Sequence, residues 1–256
     1  MHDIQSEFDG RGIELDEVGI GGLRYPVCFD DGFLKQGGIA DVTVTVRLPH
    51  DRRGTHMSRM VALVHEHVQQ FDPREFPQVL KAGADLLEVS SLAVTVSMPI
   101  GTPVAAPTSG IESWQVHDLS VMGRLDGAEA TVVTHVTCEV TSLCPCSKAI
   151  SDYGAHNQRS RVSLAVTGGG DAPYPLPVHE AVQLLRGSAS APVVPLVKRS
   201  DERALTMEAY DHPVFVEDMA RDISLACRDR GFAHSVSVRN LESIHSHDAI
   251  ARIIGR

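Results

Sequence analysis

Ala40-Asp-Val-Thr-Val-Thr-Val-Arg-Leu48 alternates apolar and polar side chains at every second position. Successive side chains of a strand point to opposite faces, so this period buries one face and wets the other, as in an antiparallel sheet. The β-branched residues favour the same geometry. Downstream the period lengthens: Met57, Met60, Val61, Val64 and Val68 recur at helical spacing. Phe76, Val79, Leu80, Leu86 and Leu87 predict a second helix, entered near Pro73 or Pro77. Period two returns at residues 91–98, 114–124 and 128–141, the last two flanking Asp126-Gly127, a dipeptide suited to hairpin turns. A strand is predicted over 159–167, then a Gly- and Pro-rich loop over 168–177, helices over 179–185, 201–210 and 214–228, and a closing strand over 234–239. Strands, a helix pair and strands thus occur twice, with the Pro-rich stretch 99–107 predicted to link the halves. Elements grouped in this way, rather than strictly alternating, predict an α+β fold. No residue-level repeat accompanies the duplication.

A chain of 256 residues can bury a sizeable core, as one large domain or two fused halves. Its formal charge of -10 argues against a general nucleic-acid surface, which must neutralise many phosphates. A small anion needs only a local group of basic side chains and backbone N–H groups, so an anionic ligand stays open. No run approaches the roughly 20 apolar residues of a membrane helix, and the first residues lack the basic and apolar regions of a signal peptide. The expectation is a cytoplasmic protein that engages neither membrane nor nucleic acid. Five cysteines, odd in number and unevenly placed, fit reduced thiols rather than a disulfide framework.

The densest chemistry lies in Leu143-Cys-Pro-Cys-Ser-Lys-Ala-Ile-Ser-Asp-Tyr-Gly-Ala-His-Asn-Gln-Arg-Ser160. Cys144, Cys146 and His156 have the ligand types of a divalent metal such as zinc, whose catalytic sites keep one position for water. A single proline between the thiols rules out a Cys-x-x-Cys redox pair, so one thiol is expected to bind metal and the other to support it. The plainer alternative is a pair of small hydrophobes in a turn. In Glu242-Ser-Ile-His-Ser-His247, His245 and His247 share a face if the run is extended. In Lys198-Arg-Ser-Asp-Glu202, Ser200 or Asp201 can cap the following helix, with Glu202 in its first turn. Glu217, in Phe215-Val-Glu-Asp218, reads from spacing alone as a solvated helix position. Residues 48–59 end a strand and enter a helix with two arginines, two histidines and a glycine turn, suiting either an anion at a helix N-terminus or a plain capped turn.

Together, Gly54-Thr-His-Met-Ser-Arg59, Thr141-Ser-Leu-Cys-Pro-Cys-Ser-Lys148, Tyr153-Gly-Ala-His-Asn-Gln-Arg-Ser160, Lys198-Arg-Ser-Asp-Glu202, Phe215-Val-Glu-Asp218 and Glu242-Ser-Ile-His-Ser-His-Asp248 resemble GTP cyclohydrolase I of type IB, in that family's order. The resemblance implies a bimodular tunnelling fold, with modules at about 18–105 and 106–256, each an antiparallel sheet backed by two helices. It further implies a ring-shaped homotetramer with active sites at subunit interfaces. The implied reaction converts GTP and water to 7,8-dihydroneopterin triphosphate and formate.

Position by position, the resemblance implies that Cys144, Glu202 and His245 bind one divalent metal per site. His156 stands there as ligand or proton donor, and Glu217 anchors the purine. Zinc, manganese and iron(II) all suit such mixed ligands. A bound metal would lower the pKa of water from 15.7 toward about 7, producing a nucleophile for C8 of guanine. His56, Arg59, Lys148 and Arg159 are the candidates for the triphosphate. Met60, Ala149 and Ser246 depart from the family's usual residues without removing a candidate ligand. Two other readings are a related cyclohydrolase with a cyclic phosphate product and a non-catalytic protein that holds a purine unopened.

Overall fold

The computed structural model describes residues 4–255 and has an α+β architecture built on a mostly antiparallel sheet. After a short 3-10 turn at Ile4–Ser6, strand β1 (Leu15–Asp30) pairs with β2 (Lys35–Leu48). Asp31 shapes the turn between them: its Oδ1 accepts from the N–H groups of Phe33 and Leu34 at 3.0 and 2.8 Å. Helix α1 (Met57–His67) leads to the two-residue strand β3 (Gln70–Phe71), which runs parallel to β1, and then to α2 (Phe76–Leu87). Asp72 caps the 3-10 turn before α2 by accepting from Arg74 N–H. Four strands follow: β4 (Ser91–Ala105), β5 (Glu112–Asp126), β6 (Glu129–Leu143) and, after helix α3 (Pro145–Ile150), β7 (Asn157–Gly169). The remainder is α4 (Val178–Gly187), β8 (Ala191–Pro192), α5 (Arg199–Asp211), α6 (Val216–Asp229), β9 (Ala233–Asn240) and β10 (Ala249–Gly255).

The chain divides into two compact units, and β4 to β7 each give a segment to both. The first unit holds residues 4–98, Ser120–Thr134 and Thr167–Pro175. Val42, Val44 and Val46 of β2 and Val94 and Val96 of β4 are buried, as the period of two predicts, and the helices bury Met60, Leu63, Val64, Phe76 and Leu80. Gly83 lets α2 approach closely, since a Cβ there would lie 2.7 Å from Leu63 and from Leu92.

The second unit holds Pro99–Leu119, His135–Val166 and residues 176–255, with strand order β10-β9-β7-β6-β5-β4. Its helices bury Val178, Val182 and Leu185 of α4 and Met219, Ile223 and Cys227 of α6. Ser224 Oγ lies 2.8 Å from Nε2 of His234, whose Nδ1 lies 2.8 Å from Phe232 O, so α6 is tied to β9. Asp201 is fully buried and accepts from the N–H groups of Thr108, Ser109 and Lys198 and from Ser109 Oγ. These bonds hold its carboxyl far below the usual carboxylate range, against the opposing effect of burial. They also fix the start of α5 to the loop between β4 and β5.

One expectation needs revision, and several elements carried none. Residues 99–107 do not form a link: β4 continues through Pro99 and Pro103 to Ala105. Proline costs a ladder hydrogen bond but accepts extended backbone, so composition misled where strand geometry survived. The cysteine segment contains the short helix α3, which has too few residues for a periodic signal. Strands β1 and β10 had no specific prediction, because glycines interrupt the former and the latter leaves Ile250 and Ile254 exposed.

Within the second unit Arg186 lacks a carboxylate partner among the described residues. Its Nε and Nη2 donate to Gln115 Oε1 at 2.9 and 2.7 Å, and Nη2 also donates to Thr102 Oγ1 at 3.1 Å. Thr102 can then donate its hydroxyl proton to His117 Nε2, 2.8 Å away. Burial, and secondly the Arg186 charge, push the His117 pKa down from 6.5 to about 4. The unfolded chain therefore binds a proton between those pH values that the folded protein does not. The contribution of neutral His117 to stability is complete above pH 6.5 and is lost as pH falls toward about 4. Thermal unfolding midpoints should decline through this window, and His117→Gln should flatten that part of the profile.

Candidate functional site

Residues 144–156 form a closed excursion at the end of β6. Cys144 is the N-cap of α3 and Pro145 its first residue, where proline's missing N–H has no helical partner to lose. Cys144 Sγ accepts from Ser147 N–H at 3.4 Å. The far end returns to the near one: Cys144 N–H donates to His156 O at 3.1 Å, and His156 N–H donates to Ser147 Oγ at 3.2 Å. Gly154 makes the return with a φ of 64°, a left-handed conformation that glycine adopts without a Cβ clash.

The start of α6 reaches the same place. Val214 N–H donates to Leu143 O at 3.1 Å, one residue from Cys144, and Asp218 caps the helix by accepting from Phe215 N–H at 3.0 Å. Glu217 then stands exposed in the first turn. Beyond β9, the segment 241–248 brings up Glu242, His245 and His247. A cavity of about 420 Å³ results, and Cys144, His156, Glu217, Glu242, His245 and His247 all line it, with walls from Val214, Phe215, Val216 and Ile250. Its size suits a small-molecule ligand. His245 and His247 stack with centroids 5.2 Å apart, and His156 stands edge-on to His245 at 6.4 Å.

Beneath the cavity lies a buried polar network. His156 Nδ1 is 2.9 Å from Gln158 Oε1, and Gln158 Nε2 donates to Ser142 Oγ at 3.3 Å. Ser142 Oγ donates to Val214 O at 3.0 Å and accepts from Asn240 Nδ2 at 3.1 Å, while Asn240 Oδ1 accepts from Ser160 Oγ at 2.5 Å. Glu242 is the contrast. Its side chain is 8% exposed, its Oε2 lies 4.0 Å from His156 Nδ1, and that oxygen has no hydrogen-bond partner among the described residues.

The fold therefore brings Cys144, His156, Glu217 and His245 to one cavity. Glu202 is exposed on α5 and does not line it. Lys148 donates to Tyr210 O and lies 4.2 Å from the Tyr210 ring centroid. Arg159 pairs with Glu139 at 3.3 Å and lines a neighbouring cavity of about 400 Å³. His56 and Arg59 belong to the first unit, where His56 precedes α1 and Arg59 donates to Leu86 O and Glu88 Oε1, both at 3.3 Å.

Among the described residues no three Cys, His, Asp or Glu side chains converge closely enough to hold a metal ion. The donor set of the cavity is nonetheless the mixed thiol, imidazole and carboxylate set that a divalent transition metal takes, and the orphaned Glu242 oxygen is unusual without a cation or donor nearby. Outside the cavity, burial pushes the Cys138 thiol up to about 11, and it raises Cys227 as well.

Sequence reasoning left Glu242, Gln158 and Asn240 without roles. A signal existed for the last two. Gln158 and Ser160 continue the inward phase of Val162, Leu164 and Val166, and Asn240 continues that of Val236 and Val238. Polar side chains on an otherwise apolar inward row mark a buried network.

The family described as type I GTP cyclohydrolase folE2 matches residues 1–251. GTP cyclohydrolase FolE2 of Neisseria gonorrhoeae is 39% identical over 254 residues, covering 98% of this chain and 97% of that protein. The FolE2 of Methylococcus capsulatus is 39% identical over 256 residues, with coverage of 99% and 94%. That of Fervidobacterium nodosum is 37% identical over 254 residues, with coverage of 98% and 96%. Among solved structures, uricase from Arthrobacter globiformis aligns with a TM-score of 0.52 at 11% identity, over 94% of this chain and 93% of that one, a likeness of fold alone.

Lys148 anchors α3 to the end of α5 through a hydrogen bond and a cation–π contact. Lys148→Met should lower stability by about 1–2 kcal/mol, measured as a shift of the denaturant midpoint at unchanged slope.

Proposed function

The chain belongs to the type I GTP cyclohydrolase FolE2 family, and from that membership we propose that it is a GTP cyclohydrolase I. It hydrolyses the imidazole ring of GTP, releasing formate and forming 7,8-dihydroneopterin triphosphate, an early step toward folate-type pterins. The observation that carries this reading is the family match over nearly the whole chain. The cavity accords with it, because a thiol, imidazoles and two carboxylates face a space of small-molecule size.

Cys144, His245, His156 and Glu202 are the proposed ligands of one divalent metal, zinc, manganese or iron(II). When bound, it supplies Lewis acidity that makes water a nucleophile near neutral pH. Glu202 stands outside the cavity, so Glu242 is the carboxylate that the fold itself brings beside the imidazoles. Glu217 is the proposed purine anchor: its two oxygens can accept from guanine N1–H and the 2-amino group, a pair that adenine cannot offer. Ring opening requires a proton at the departing nitrogen. Imidazole exchanges protons readily at neutral pH, and His156 is held in place by Gln158 and Ser147.

His56, Arg59, Lys148 and Arg159 are proposed for the triphosphate, and a homotetramer in a ring of tunnelling-fold subunits for the assembly. No helix of the described residues is long and apolar enough to cross a membrane. A cytoplasmic location is proposed, in keeping with five cysteines that form no disulfide in the structure.

Metal-loaded protein incubated with GTP, then oxidised, should yield neopterin fluorescence, and the product mass should be that of a linear triphosphate rather than a cyclic phosphate. Cys144→Ala should abolish formate release and lower metal content; a fully metallated, active variant would overturn its assignment. Glu217→Gln should reduce kcat/KM for GTP by about 1000-fold or more, since one acceptor becomes a donor facing a donor.

A further inference from the structure

We propose that Ser142, Gln158 and Asn240 locate a proton: they fix the His156 imidazole with its hydrogen on Nδ1 and leave the Nε2 lone pair open. Gln158 is then a positioning residue for His156. The importance of this for catalysis rests on the cavity being the reactive site proposed above.

Counting donors and acceptors fixes the orientation of each amide. Ser142 Oγ has one hydrogen and two lone pairs, and it contacts Val214 O, Gln158 and Asn240 at 3.0, 3.3 and 3.1 Å. The Val214 carbonyl can only accept, so it takes the single hydroxyl hydrogen. Gln158 and Asn240 must both donate, and each therefore turns its amide nitrogen toward Ser142. For Asn240 this places Oδ1 where Ser160 Oγ donates to it at 2.5 Å. For Gln158 it places Oε1 2.9 Å from His156 Nδ1. An amide oxygen has no hydrogen, so the bond forms only if Nδ1 carries one. A neutral imidazole has a single N–H, and Nε2 is left bare.

The opposite orientation of Gln158 has no outlet. Its oxygen would face Ser142 Oγ, whose hydrogen is already committed, and its amide would face Nδ1. Ser142 and Ser160 are fully buried, and Gln158 and Asn240 are 7% and 3% exposed, so water cannot readily repair the mismatch. Glu242 Oε2, 4.0 Å from Nδ1, acts in the same direction, and Ser243 Oγ at 3.3 Å fits either tautomer because a hydroxyl both donates and accepts. Ser147 Oγ holds the His156 backbone, which limits rotation of the ring away from Gln158.

The chemical consequence is specific. An imidazole with a bare Nε2 can bind a metal or accept a proton there, whereas the other tautomer can do neither at that atom. His156 would thus serve as ligand or acceptor first, and give a proton only after taking one up.

The test reads the tautomer directly. Full-length metal-free protein labelled with 15N in its histidines, with His156→Ala to assign the signal, should show the hydrogen on Nδ1. A wild-type His156 protonated on Nε2 would overturn the proposal whether or not the chain turns over GTP. Gln158→Leu, which removes the acceptor at Nδ1, should shift the population toward the Nε2–H form. Zinc affinity measured by chelator competition should weaken about 10- to 100-fold in Gln158→Leu. Folded Gln158→Leu with wild-type tautomer would also refute it. A native tautomer in protein that binds no zinc would instead refute the proposed metal site.

Discussion

The hydroxyl of Ser142 is buried between the ends of β6, β7 and β9 and the segment that enters α6, and a single arrangement of its hydrogen and lone pairs satisfies Val214, Gln158 and Asn240 together. Each of the three strands sends an apolar inward row toward this point and ends it with a polar side chain: Val136, Cys138 and Val140 before Ser142, Val162 before Ser160 and Gln158, and Val236 and Val238 before Asn240. A buried polar group without a partner costs about 1–3 kcal/mol, so the three strand ends are constrained jointly rather than one by one.

That joint constraint places the thiol, imidazole and carboxylate that line the cavity. Leu143 follows Ser142 and accepts from Val214 N–H, which sets where α6 begins and hence where Glu217 emerges. Cys144 follows Leu143, and its bond to the His156 carbonyl closes the excursion, so thiol and imidazole are held by the chain that also holds the carboxylate. Asp201 works in the same way on α5, adding to its capping bond from Lys198 N–H further bonds to the loop between β4 and β5. In both places a fully buried polar side chain, rather than apolar packing alone, decides where a helix starts.

Much of the fold was legible because period two and helical spacing are local. The alternation in β2, β5 and β7 and the helical rows of α1, α2 and α6 fall where those patterns place them. The failures are also local in origin. Pro99 and Pro103 suggested a break, but extended backbone tolerates proline; α3 is too short to show a period; and β10 has a half-exposed pattern without a strong apolar face. At the site, Cys144, His156 and His245 stood out by residue type and Glu217 only by resemblance to a family, and the four share the cavity. Lys148 and Arg159, read as anion contacts, are engaged with Tyr210 and Glu139 within the chain.

The sequence by itself determined the alternation of strands and helices and the family to which its motifs belong, because each is carried by neighbouring residues or by motifs in order along the chain. Only the tertiary structure decided which polar side chains are buried together. Gln158 sits on an inward row of its strand, but its partners are set only where Ser142 and Asn240, on other strands, meet it. Glu242 likewise looked like one polar residue in a polar run, and becomes notable only when packing buries its oxygen beside His156 without a partner. Hydrogen-bond satisfaction belongs to a neighbourhood in space, and no spacing along the chain encodes it.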